Sequence, residues 1–293
     1  MGMKNNTLSN SIYDCKVSYL RIYARFDYLT EGAGRAKLKL NTEAKRVMRN
    51  IRIAIAFDGT AYCGWQMQRN ASSIQGIVSA ALAKITCEAI SLTGSGRTDS
   101  GTHARELVAN FFTVSEIPAD RLPFALNCML PRDIRILSAR DVPADFNARK
   151  SARSKIYRYQ VYNGTILPPH LAREYYHFPY PLDFDRISEA ARLFPGEHDF
   201  AGFAKTGLDV STTVRRIFRC DLRRQGARIY LTVEGNGFLR HMVRTMVGTL
   251  LEVGRGHISL SDFAALFINR DRTKAGFTAP AHGLILVKVK YPG

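Results

Sequence analysis

The residues best suited to chemistry lie in one glycine-rich run, Gly94-Ser95-Gly96-Arg97-Thr98-Asp99-Ser100-Gly101, closely followed by His103. A phosphate loop would require Gly-Lys followed by Ser or Thr, and a dinucleotide fingerprint would require glycine where Asp99 stands. A nucleobase deaminase would hold zinc through H-x-E and P-C-x-x-C. Here His103 leads into Ala104, Arg105 and Glu106, and no C-x-x-C pair exists. What survives is a carboxylate in a tight turn, with a guanidinium two residues before it and an imidazole four after. Such a group can serve as a base or a nucleophile. It can equally be a turn aspartate that hydrogen-bonds its own backbone.

The elements around that turn follow from periodicity. Ile51, Ile53, Ile55 and Phe57 alternate as a strand with one face on a core, and Asp58-Gly59-Thr60 supplies a turn. A helix follows, with Ser72 and Gln75 in a capping-box pattern and Ile74, Ile77, Val78, Ala81, Leu82 and Ile85 as its apolar stripe. Beyond the loop, Leu107 to Val114 predicts a strand, Asp120 to Met129 a helix and Ile134 to Leu137 a strand. In the second half, Lys155 to Tyr162 predicts a strand and Asp185 to Phe194 an amphipathic helix. Val214 to Arg223 and Ala227 to Glu234 form a hairpin through Gln225-Gly226. Phe238 to Val253 is a helix with Gly254 as its stop, Ser261 caps a short helix, and Leu284 to Tyr291 is the last strand. This order predicts an α+β fold: two split β-α-β (ferredoxin- or RRM-like) halves forming a mixed, mainly antiparallel sheet with helices on one face.

The expected division is an N-terminal domain, 48–152, carrying the Asp99 loop, and a C-terminal domain, 153–293. Residues 1–47 lack sustained periodicity and are expected to be a poorly ordered extension, with a translation start at Met48 a simpler reading than an organelle leader. Five cysteines, odd in number and far apart, indicate neither a disulfide framework nor a zinc site, which fits a reducing cytoplasm. No run is long and apolar enough for a membrane span. The net charge of +17 points to a polyanionic partner, nucleic acid first. The basic residues gather in two stretches, Arg215, Arg216, Arg219, Arg223 and Arg224, and Arg149, Lys150, Arg153 and Lys155.

Gly96-Arg97-Thr98-Asp99-Ser100-Gly101-Thr102-His103-Ala104 resembles the G-R-T-D-x-G-V-H-A signature of the tRNA pseudouridine synthase A family, with Thr102 in place of the usual Val. Four further segments agree in order. Phe57 to Gln66 resembles the opening strand and Y-x-G-W-Q turn. Phe146 to Arg149 with Lys155 to Tyr159 resembles F-x-A-R and K-x-Y-R-Y. His198 to Phe203 resembles H-D-F-x-x-F, and Gly235 to Arg244 resembles G-x-x-F-L-x-x-M-V-R.

The resemblance implies an isomerase of tRNA uridines at positions 38, 39 and 40 of the anticodon stem-loop, acting on a flipped base without metal or cofactor. Asp99 would be the catalytic carboxylate and Arg244 its counter-charge. Tyr157 would stack on the target base, and Arg97 would help extrude the nucleotide. His103 would touch substrate or only fix the loop, and Phe203 would line the pocket or the core. The C-terminal domain would complete the cleft, and a homodimer would bind tRNA across its shared surface. The competing reading is a non-enzymatic RNA-binding or chaperone protein of the same fold.

Overall fold

Ile51, Ile53 and Ile55 are buried along one side of the first strand, β1 (Arg49–Phe57), as their alternation requires. They belong to a computed structural model that describes residues 47–207 and 210–292. The expected N-terminal extension therefore lies, but for residue 47, outside the described residues.

After β1 come helix α1 (Ile74–Thr86), β2 (Thr93–Gly94), β3 (His103–Thr113), α2 (Leu122–Asn127) and β4 (Ile134–Val142). The second half carries β5 (Ser154–Tyr162), β6 (Tyr176–His177), α3 (Phe184–Ala191), β7 (Gly196–Asp199), β8 (Val214–Gln225) and β9 (Arg228–Gly235). It ends with α4 (Met242–Gly254), α5 (Leu260–Asn269) and β10 (Leu284–Lys290). The strands form one ten-stranded sheet in the order β4-β1-β3-β10-β5-β9-β8-β7, with β2 against β3 and β6 against β5. Every pairing is antiparallel except β10 with β3 and β6 with β5, so the sheet is mixed and mainly antiparallel, as expected. Among the described residues no helix is long and apolar enough to cross a membrane.

The last strand joins the halves. Leu286 pairs with Ala104 on one side and with Tyr157 on the other. The start of β3, just after the Asp99 loop, is thereby held two strands from Tyr157, about 10 Å across the sheet.

Several element ends differ from the sequence reading for local reasons. Ser73, not Ser72, caps α1 and accepts from Gly76 N. Gln75 instead takes the Met67 N–H and donates to Leu92 O, tying down the flanking loops. Ser259, not Ser261, caps α5 by accepting from Asp262 N. Helix α4 starts at Met242, not Phe238, because His241 adopts a left-handed conformation at φ 67° and cannot sit inside a helix. Nor does Gly254 stop α4. It is the last helical residue, and a Cβ there would lie 2.5 Å from Ile187 Cδ1, so glycine permits the close approach of α3. Strands β6 and β7, two and four residues long, leave no readable alternation.

Candidate active site

The loop bearing Asp99 rests on the segment between β1 and α1. Gly64 has φ 85°, and a Cβ there would overlap the Thr98 carbonyl oxygen, so backbone lies directly on backbone. Gly101 N and Ser100 Oγ both donate to Tyr62 O at 3.2 Å. The turn closes through the main chain, with Thr102 N donating to Asp99 O at 3.1 Å. Among the described residues, the Asp99 carboxylate takes its hydrogen bond from across the cleft rather than from its own turn. That removes the simple turn-aspartate reading.

The donor is Arg244, in the first turn of α4. Its Nη1 lies 2.7 Å from Asp99 Oδ2, and both side chains are mostly shielded, at 15% and 21% exposure. Arg244 is itself fixed, since Nε donates to Ala279 O at 2.7 Å and its carbonyl accepts from Ala279 N. With its guanidinium fixed by one of these bonds and its backbone by the other, Arg244 presents Nη1 to Asp99 in a preorganised, charge-assisted hydrogen bond. His241 Nε2 stands 3.8 Å from the same Asp99 oxygen. Burial lowers the His241 pKa, with Arg244, Arg240 and Lys205 adding to the shift and Asp99 opposing it.

Tyr157 approaches from β5. It is buried, and its ring meets Phe238 edge-on at 5.1 Å. Burial, and then the negative charge of Asp99, hold its phenol well above the ordinary tyrosine range, so it stays protonated at neutral pH. Two residues along the strand, Tyr159 donates to Pro280 O at 2.7 Å, bracing the segment that also receives Arg244.

The structure thus brings Asp99, Tyr157 and Arg244 together. Arg97 is exposed at the rim, with Nε donating to Gln66 Oε1 at 3.1 Å. His103 is buried behind the loop. Its Nδ1 lies 3.1 Å from both Gly59 N and Asp58 Oδ1, and its Nε2 lies 2.8 Å from Arg173 O and 3.1 Å from His282 O. These bonds tie together the segments that support the loop. Phe203 is fully buried among Phe194, Phe263 and Phe267, with ring centroids 5.2–5.9 Å away. Sequence reasoning passed over His241 and Phe238, whose roles in the cleft depend on the irregular entry into α4.

A family model described as tRNA pseudouridine synthase matches residues 53–149 and 190–292. Proteins named tRNA pseudouridine synthase A are 46% identical in Caldicellulosiruptor saccharolyticus and 44% identical in both Acetivibrio thermocellus and Pelobacter propionicus. Each alignment covers 83% of this chain and the whole of the relative. The chain belongs to the tRNA pseudouridine synthase family. This is the membership that its motifs resemble, and the family is one of isomerases. A solved chain from a Cbf5-Nop10-Gar1 complex overlaps 80% of this chain and 48% of its own length at 12% identity and a TM-score of 0.35, too loose a fit to add to the assignment.

Four of the family-like segments have clear structural duties. Phe57 to Gln66 forms the seat of the Asp99 loop, Lys155 to Tyr159 is the floor strand, and Gly235 to Arg244 delivers Phe238, His241 and Arg244. The segment ending at Phe203 instead packs the core of the second half. Among the described residues no three His, Cys, Asp or Glu side chains gather as a metal site.

Proposed function

We propose that this protein isomerises uridine to pseudouridine at positions 38, 39 and 40 of the tRNA anticodon stem-loop, with Asp99 as the catalytic carboxylate on a flipped base. The observation that carries the reading is the Arg244–Asp99 pair at 2.7 Å, directed into a cleft floored by Tyr157. The reaction breaks the N1–C1′ bond of uridine, turns the base and joins C5 to C1′ of the same ribose; C5 gives up its proton and N1 ends protonated, so the product is an isomer of the substrate. Asp99, paired with Arg244, either adds covalently to the nucleotide or removes a ribose proton during glycal formation. No redox partner or group carrier enters that balance.

In this reading Tyr157 stacks on the extruded base, a contact of ~1–3 kcal/mol that does not depend on a particular base edge. Arg97 at the rim assists extrusion and occupies the vacated stem. His103 acts through the loop it supports. The domains 48–152 and 153–293 close the cleft from two sides. Two copies of the chain would share one tRNA, a state that sedimentation with and without tRNA would reveal, and the site of action would be the cytoplasm.

Carbodiimide labelling of a tRNA transcript treated with the protein tests the proposal. Label appearing at positions 38 to 40 is expected. A transcript that is bound but never labelled would instead favour a non-enzymatic RNA-binding protein.

A further inference from the structure

Lys155 lies two residues before Tyr157 on β5, on the same face of the strand and about 6.6 Å along it. Its amine reaches the catalytic loop, and a Cβ on Gly96 would stand only 3.0 Å from Lys155 Nζ. The charges that act on the amine are those of Arg149 and Arg215, both positive, and Lys155 pairs with Gly235 of β9, which in turn pairs with Ile217 of β8, two residues from Arg215. Burial first, and then these two cations, push Lys155 down to about 8. None of the ion pairs among the described residues gives Lys155 or Arg215 a carboxylate.

Arg215 is half-buried and oriented by bonds from Nη1 to Thr212 O at 2.9 Å and Val214 O at 2.6 Å. Its Cδ and Nε lie 3.6 Å from where a Cβ on Gly237 would stand, one residue before the Phe238 ring that meets Tyr157. Arg149 is exposed beside them.

Three cations gathered without an anion, one of them partly stripped of water, is an arrangement that folding alone opposes. An anionic ligand reverses the sign. Gly96 and Gly237, having no side chains, leave room for the Lys155 amine and the Arg215 side chain, and Arg215 lies one residue from the Phe238 ring that meets Tyr157. We infer that Lys155, Arg215 and Arg149 form a subsite for one backbone phosphate of an RNA strand, flanking the nucleotide whose base is presented to Tyr157. The inference rests on the proposed action on RNA. Its consequence is that the strand is pinned one strand-step from the reacting base, which fixes the ribose over Asp99.

The test is tRNA binding by the full chain over a series of salt concentrations. Lys155→Met should make the slope of log affinity against log salt shallower by about 0.7–0.9, the signature of one lost phosphate contact. It should also weaken binding roughly tenfold at moderate salt, while Lys155→Arg restores the slope. An unchanged slope in Lys155→Met would overturn the subsite. Amine-reactive labelling of the unaltered protein gives a reading independent of any variant's folding. Lys155 should be protected by bound tRNA, and equal labelling with and without tRNA would also overturn the subsite. Pseudouridine formation by the unaltered protein is measured in parallel. Salt-dependent binding with the Lys155 effect but no pseudouridine would contradict the proposed reaction while upholding the subsite.

Discussion

Arg244 and Asp99 are 145 residues apart in the chain, yet Arg244 Nη1 lies 2.7 Å from Asp99 Oδ2. The contact exists because β10 stitches the two halves together and because α4 begins where the left-handed His241 turns the chain toward the loop. It links a loop of the first half to a helix of the second and fixes the Asp99 carboxylate beside Tyr157.

Removing that counter-charge should cost catalysis more than stability, since both groups keep some access to solvent. Arg244→Met is expected to lower kcat by about 100-fold, in the range seen when a preorganised charge is deleted from an active site. Arg244→Lys should recover only part of the loss, because an ammonium cannot hold Ala279 O and Asp99 in the same fork. Single-turnover pseudouridine assays on a tRNA transcript provide the measurement, and near-normal kcat in Arg244→Met would refute the electrostatic role.

Tyr157 offers a ring and a hydroxyl whose contributions can be separated. Tyr157→Phe keeps the stacking face and the Phe238 contact, so tRNA affinity should hold while kcat falls if the hydroxyl takes part in moving the C5 proton. Tyr157→Leu should weaken productive binding by roughly 10- to 100-fold, matching the loss of one base–aromatic stack. Equal kinetics in all three proteins would remove Tyr157 from the site.

How much of this was legible in the sequence depends on the kind of signal. The alternation of Ile51, Ile53 and Ile55 and the stripe on α1 are periodic and leave a pattern, and so does the hairpin turning at Gly226, which has φ 58°. Asp99, Tyr157 and Arg244 were found through short motifs, although no local pattern shows that they meet. His241 was missed because a left-handed residue just before a helix has the same composition as a helical one. Phe203 lay on a recognisable motif yet sits in a five-phenylalanine core, because motif residues that recur for packing look the same as those that recur for binding. Gly254 was read as a helix stop when it is a packing contact, a distinction that only tertiary structure makes.

His241 gives the fold a pH dependence of known sign. Burial is the first cause of its lowered pKa, so below the unfolded value near 6.5 the unfolded chain takes up a proton that the folded one resists. Stability is therefore unaffected by this group at neutral pH and declines as pH falls through 6.5 toward the lower folded value. His241→Asn, which tolerates the left-handed backbone, should lose less melting temperature than the parent between about pH 7 and pH 5.5. His282, also lowered mainly by burial, remains in both proteins, so the difference between them isolates His241. Identical acid losses would show that His241 titrates normally.

The most direct test of the central claim is Asp99→Asn, which keeps the size of the side chain and its contact with Arg244 while removing the charge and the nucleophile. The account predicts that this variant binds tRNA with near-parental affinity and forms no pseudouridine at positions 38 to 40, as read by carbodiimide labelling. Full pseudouridine formation by Asp99→Asn would contradict it.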